Sequence, residues 1–153
     1  MSPKDRKSNS QILLVEDCED DFETTIRAFS KANFRNQIIH VSSGEEALDY
    51  LHSIGAYSYV KERPVLILLD LNMPGLGGLK TLQRIKSDDA LRPIPVVILT
   101  TSNDIRDVEG CYEYGASTYI QKPVDFDGLI QAIKSLKEYW FEIAILPKCS
   151  SDD

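Results

Sequence analysis

Five short apolar runs, each set between polar residues, constrain this chain more than any other feature. They lie at 11–15 (QILLV), 37–41 (QIIHV), 65–69 (VLILL), 95–99 (PVVIL) and 118–121 (TYIQ). All but the last are rich in β-branched residues and leucine, the composition of parallel strands buried on both faces. Between them lie helix-length stretches whose apolar residues recur near a 3.6 period. The stripes are Phe22, Ile26 and Phe29; Ala47, Leu48 and Leu51; Leu79, Leu82 and Ile85; Ile105, Val108 and Tyr112; and Phe126, Leu129, Ile130, Ile133 and Leu136. Ser43, ahead of Glu45 and Glu46, and Asp125 read as N-caps of the second and fifth helices. Strand and helix alternating five times predict an α/β fold: a doubly wound, five-stranded parallel sheet with helices on both faces. The irregular stretch 52–64 reads as a surface loop.

The 153 residues match one domain, and 42% apolar residues suffice for one core. A net charge of −7 argues against a nucleic-acid partner, which calls for a basic patch. No apolar run approaches the roughly 20 residues of a membrane span, so no membrane partner is expected. The polar N-terminus lacks the apolar segment of a secretory signal, and residues 1–9 read as a flexible tail. Cys18, Cys111 and Cys149 are widely spaced with no C-x-x-C pair, which predicts free thiols and a cytoplasmic location. His40 and His52 are isolated, and read as surface or internally satisfied side chains.

In open α/β sheets, ligands sit outside the carboxyl ends of the strands. Those ends here carry Glu16-Asp17, Asp70, Thr100-Thr101 and Lys122-Pro123. Three carboxylates brought close together drive one pKa up unless a cation neutralises them. The donors are hard oxygens, which suit Mg²⁺. Cys18 is the one soft group nearby, which argues against zinc. Glu19, Asp20 and Asp21 read as ordinary helix-start electrostatics. Asp70 lies in LLDLNMPGLGG. A strand-end carboxylate beside a metal can attack a phosphoryl group, with the metal and Lys122 offsetting charge on the phosphoryl oxygens. The plainer alternative is a turn cap before Met73-Pro74-Gly75. The run Gly75–Thr81 is not a phosphate-binding P-loop, because Leu79 stands where glycine must precede the lysine.

Together these residues resemble the receiver domain of two-component response regulators, a flavodoxin-like (CheY-like) fold, over residues 10–138. The matching elements are Glu16-Asp17, Asp70, Met73-Pro74-Gly75, Thr100, Tyr119 and Lys122-Pro123. The loop before the third strand, LLDLNMPG and the tail YWFEIAILP further resemble single-domain receivers that partner bacterial, especially cyanobacterial, phytochrome-type histidine kinases. The resemblance implies that Asp70 accepts a phosphoryl group from such a kinase. It implies Mg²⁺ held by the Asp17 and Asp70 carboxylates and the Asn72 main-chain carbonyl, with Glu16 acting through water. It makes Lys122 the partner of a phosphoryl oxygen, sets Thr100 and Thr101 beside it as phosphoryl-stabilising, and makes Thr100 the switch hydroxyl. Thr101 controls access to the phosphorylated Asp70. Tyr119 turns inward on phosphorylation, against the alternative of a strand residue whose hydroxyl stays wet. It implies a cis Lys122–Pro123 peptide. It also implies self-catalysed phosphoryl transfer and slow autodephosphorylation rather than enzymatic turnover. Glu16 stands where Asp is common, Thr101 where a smaller residue is common, and Val124 where Phe is frequent. Two rivals remain: a Mg²⁺-dependent phosphatase with an aspartate nucleophile, which would need an acid at Asn72, and a receiver-like interaction module that takes no phosphate.

The segment 139–153 leaves no room for an output domain, so the readout expected is protein contact or phosphorelay. Its apolar residues admit three readings. The last helix can extend and fold back on its own subunit. Alternation of Phe141, Ile143 and Ile145 can make an edge strand. Or Tyr139, Trp140, Phe141, Ile143 and Ile145 can form a homodimer interface. The homodimer is the reading preferred, with the face of the fourth and fifth helices as the alternative interface.

Overall fold

The computed structural model describes residues 10–143, with side chains placed through Phe141. Strands β1 (Gln11–Val15), β2 (Gln37–Val41), β3 (Leu66–Leu69), β4 (Val96–Thr100) and β5 (Thr118–Gln121) alternate with five helices. These are α1 (Glu19–Lys31), α2 (Gly44–His52), α3 (Gly78–Ser87), α4 (Ile105–Glu113) and α5 (Phe126–Lys137). The sheet order is β2-β1-β3-β4-β5 and every pairing is parallel. The doubly wound sheet expected from the sequence is therefore present.

The two-residue period of a strand divides the core into two layers. Leu13, Val15, Ile67, Leu69, Val96 and Ile98 pack on one face with Leu51, Leu82, Ile85 and Cys111. Ile12, Leu14, Leu66, Leu68 and Val97 pack on the other with Phe29, Leu129 and Ile133. Ser43 and Asp125 cap as expected: Ser43 Oγ accepts from the Glu46 N–H at 3.0 Å, and Asp125 from the Gly128 N–H at 3.0 Å. Helix α1 is different, because its N-cap, Cys18, makes no side-chain capping bond.

The loop expected at 52–64 contains a short 3₁₀ turn, Gly55–Tyr57. The Tyr57 hydroxyl donates to the Glu46 carboxylate, which in turn accepts from the Ser42 N–H at 2.7 Å. The loop is thus tied to the start of α2.

After Lys137 the chain continues as a π-helical turn, Glu138–Ile143. Over residues 141–143 this overturns the edge-strand reading, since that backbone is helical rather than extended along a sheet edge. Phe141 is 6% exposed and meets the Phe34 ring edge-on at 5.4 Å. Of the interface residues expected from sequence, Phe141 is therefore buried in its own subunit, where an aromatic surface gains more than in water. Trp140 packs partly against the same layer, and Tyr139 is exposed. Only the backbone of Ile143 is described, and Ile145 lies outside the described residues.

Candidate functional site: an acidic pocket at the carboxyl edge of the sheet

Parallel strands end at one edge, and their ends bring the acids together. Glu16 follows β1, and its N–H donates to the Val41 carbonyl at 3.0 Å. Asp70 follows β3, and its N–H donates to the Val15 carbonyl at 3.1 Å. Carboxylate oxygens of Glu16, Asp17 and Asp70 all lie within 4.8 Å of one another. Asp17 is exposed, whereas Asp70 and Glu16 are buried. Lys122 Nζ approaches Glu16 Oε1 at 3.7 Å, an ion pair too long for a hydrogen bond. The Lys122 N–H donates to the Thr100 carbonyl at 2.6 Å, continuing the β4–β5 ladder past its last residue pair.

Glu16 carries the tension in this pocket. It is 1% exposed, and neither carboxylate oxygen has a hydrogen-bond partner. Burial pushes its carboxyl up to about 9, the neighbouring Asp70 and Asp21 add to the rise, and Lys122 opposes it. A buried carboxyl with one distant ammonium and no hydrogen-bond partner, facing two other carboxylates, is a site short of positive charge. The donors are hard oxygens, the set that suits a small divalent cation such as Mg²⁺. The residues present therefore fit the expected metal.

The neighbouring groups are placed more loosely. The Asn72 N–H is 3.4 Å from Asp70 Oδ1, and the Asn72 amide donates to Thr100 Oγ1 at 3.3 Å. Thr100 is fully buried, while Thr101 is exposed. Tyr119 is half-buried against the core, and its hydroxyl donates to the Ser102 carbonyl at 2.8 Å. The hydroxyl is therefore bonded to protein, unlike the wet alternative. Ser102 Oγ donates to Asp107 at 2.6 Å, so Tyr119 holds the β4–α4 loop through Ser102.

One expectation is corrected. No cis peptide occurs among the described residues, so Lys122–Pro123 is trans. For a residue before proline the trans form is favoured by about 0.5–1 kcal/mol, and the Lys122 N–H bond to Thr100 is made with the trans form.

Sequence reasoning missed two residues. Asp21, read as part of a charged helix start, brings a carboxylate within 4.8 Å of Glu16 and Cys18 ligand atoms. Glu16 and Asp17 precede α1, so helical spacing gave no signal for this approach. His40, read as isolated, reaches the Glu16 carbonyl with Nε2 at 2.7 Å. No spacing rule points to that contact, since it bridges two strands.

Comparison with known proteins bears on the family and the fold. A family model, that of the response regulator receiver domain, matches residues 12–134. The probable methanogenesis regulatory protein FilR2 of Methanothrix harundinacea is 39% identical over 131 residues, covering 84% of this chain and 82% of that protein. The response regulator Rcp1 of Synechocystis sp. is 35% identical over 136 residues, covering 89% of this chain and 92% of that protein. A crystal structure of Rcp1 in a Mn²⁺-bound form superposes with a TM-score of 0.83 at 34% identity, over 91% of this chain and 99% of that one. The phosphorylated cyanobacterial phytochrome response regulator RcpA superposes with a TM-score of 0.85 at 37% identity, over 92% of this chain and 99% of that one. The chain belongs to the response regulator receiver domain family, whose general function in two-component signalling is to accept a phosphoryl group.

Proposed function

We propose that Asp70 is the phosphoacceptor, that it takes its phosphoryl group from a phytochrome-type histidine kinase, and that the transfer depends on Mg²⁺. The observation that carries this reading is the cation-deficient cluster of buried Glu16 and Asp70 with exposed Asp17, beside Lys122. The kinase part rests on likeness to RcpA and Rcp1.

An Asp70 carboxylate oxygen attacks phosphorus in line with the bond to the kinase histidine. The new O–P bond forms as the N–P bond breaks, and the electron pair of that bond returns to the imidazole nitrogen. The carboxylates of Asp17 and Asp70 and the main-chain carbonyl of Asn72 would hold the Mg²⁺, with the Glu16 carboxylate acting through water. When bound, the metal supplies positive charge against the phosphoryl oxygens. Lys122, a compact point charge, pairs one of those oxygens. Thr100 leaves the Asn72 amide and turns its hydroxyl to the phosphoryl group. Tyr119 already points toward the β4–α4 loop, so motion of Thr100 and Ser102 is transmitted to it.

Asn72 carries an amide bonded to Thr100 and no proton for a leaving group, which disfavours the phosphatase reading. A labelled phytochrome-type kinase, autophosphorylated and freed of nucleotide, tests the proposal. Label should pass to the wild-type chain and leave the kinase, and should not pass to Asp70→Asn. Transfer to Asp70→Asn at the wild-type rate would place the acceptor elsewhere.

A further inference from the structure

The turn from β1 into α1 carries both Glu16 and Asp17, and it lacks the usual device for holding such a turn. Helix N-caps are commonly Ser, Thr, Asp or Asn, whose side-chain oxygen accepts an orphan N–H. Here the cap is Cys18, in extended conformation (φ −92°, ψ 117°) with no side-chain bond. Three acids follow in the first turn. Their attraction to the helix dipole favours the helix, but it does not fix the peptide that precedes the cap.

His40 supplies the missing constraint. It projects from β2 on the α1 side of the sheet. Its ring stacks on Phe22 of α1, with centroids 3.8 Å apart and planes 10° from parallel. Its Nε2 lies 2.7 Å from the Glu16 carbonyl oxygen, a distance and partner that require Nε2 to carry the hydrogen and donate. The N–H of the same residue donates to Val41 at 3.0 Å. The main chain of Glu16 is thus held on both sides by consecutive residues of β2. Fixing its carbonyl fixes the plane of the Glu16–Asp17 peptide, because that unit is rigid. The plane in turn sets where the Asp17 carboxylate projects. The stack on Phe22 keeps the imidazole from swinging away, and ties the first turn of α1 to the same anchor.

We infer that His40 is a positioning residue for the cation site: clamped by Phe22, it holds the Glu16–Asp17 peptide so that the Glu16 and Asp17 carboxylates stand ready for a divalent ion. The inference rests on the reading of Glu16, Asp17 and Asp70 as that site. It assigns work to a side chain that touches neither the ion nor the phosphoryl group. Partners that orient metal ligands typically contribute tenfold or more to affinity, and a bonded main-chain carbonyl belongs to the same class of support.

Mn²⁺ titration followed by electron paramagnetic resonance tests it on the full chain, with no phosphoryl donor present. Three variants separate the contributions. His40→Phe keeps a ring on Phe22 and removes the donor. His40→Gln places an amide nitrogen near the Nε2 position and removes the ring. His40→Ala removes both. Wild type should bind Mn²⁺ and release it to excess Mg²⁺. His40→Phe should bind about tenfold more weakly while its metal-free melting temperature stays close to wild type. His40→Gln should recover most of the affinity, and His40→Ala should lose both affinity and stability. A structural role alone would move the melting temperature and leave the Mn²⁺ affinity unchanged. Wild-type affinity in a folded His40→Phe would overturn the inference and leave the site intact. Absence of Mn²⁺ binding by wild type would overturn the site itself, and with it the role given to His40.

Discussion

Lys122 and Thr100, at the ends of the neighbouring strands β5 and β4, should fail in different ways. Lys122 is the charged partner of Glu16 at 3.7 Å. Lys122→Ala leaves both Glu16 and the incoming phosphoryl group without it. Hydrogen bonds to charged groups contribute about 1.5–3 kcal/mol, so phosphorylation of Lys122→Ala by acetyl phosphate should slow by about 10- to 100-fold in timed intact-mass measurements. Thr100→Ala keeps the nucleophile and should be phosphorylated nearly as fast as wild type. Its β4–α4 loop should not change in amide hydrogen exchange on phosphorylation, whereas that of wild type should. An unaltered exchange response in Thr100→Ala would break the proposed link from Thr100 through Ser102 to Tyr119. The thiols provide a separate check. Burial pushes the Cys111 thiol up to about 11, and the residue is fully buried, whereas Cys18 is exposed. Iodoacetamide at mildly alkaline pH should label Cys18 in the native protein and reach Cys111 only after unfolding, as read by peptide mapping. The residues of the pocket were legible because strand ends concentrate chemistry at one edge. The support from His40 and Asp21 was not, since it depends on which side chains cross between elements.

Among the elements, α1 and α3 meet the pocket through unusual starts. Cys18 leaves an N-terminal N–H of α1 without a side-chain partner. Replacing it by serine should raise stability by about 0.5–1 kcal/mol, visible as a higher denaturant midpoint with an unchanged slope. At α3 the glycines of the sequence have distinct roles. Gly75 and Gly77 adopt positive φ, 75° and 79°, as a tight turn requires. Gly78 is held by space: a Cβ there would lie 2.3 Å from the Asp70 carbonyl oxygen and 2.6 Å from Leu71 Cα. Gly78→Ala should therefore destabilise by about 1–3 kcal/mol and reduce phosphorylation, because the backbone of Asp70 must shift. A stable Gly78→Ala with normal phosphorylation would show that the helix start can slide without disturbing Asp70. The sequence showed that a turn was needed before α3, since glycine and proline mark turns by composition. It could not show that one glycine serves close packing over Asp70, because that contact comes from folding the helix back onto the strand end. The strands were legible for the opposite reason: burial on both faces leaves them almost no polar residues, so β3 and β4 stand out as apolar runs.

Over the whole molecule, two core layers clamp a sheet whose carboxyl edge carries the pocket. The turn Glu138–Ile143 extends one of those layers through Phe141. Phe141→Ala should cost about 3–5 kcal/mol in equilibrium denaturation, through the lost contact with Phe34. Ending the chain at Lys137 would remove the same contact. A homodimer remains a proposal, now with Tyr139 as the exposed aromatic of the described turn. Light scattering of wild type and Tyr139→Ala, before and after phosphorylation, should show a dimer in wild type that weakens in the variant. A wild-type monomer at tens of micromolar would end that proposal without touching the phosphoacceptor. The phosphoacceptor itself is tested most directly by intact mass after incubation with acetyl phosphate. With Mg²⁺ the wild-type chain should gain the mass of one phosphoryl group, lost again in base. Without Mg²⁺, or in Asp70→Asn, it should gain none. Equal labelling of Asp70→Asn, or labelling that persists in excess chelator, would contradict the account.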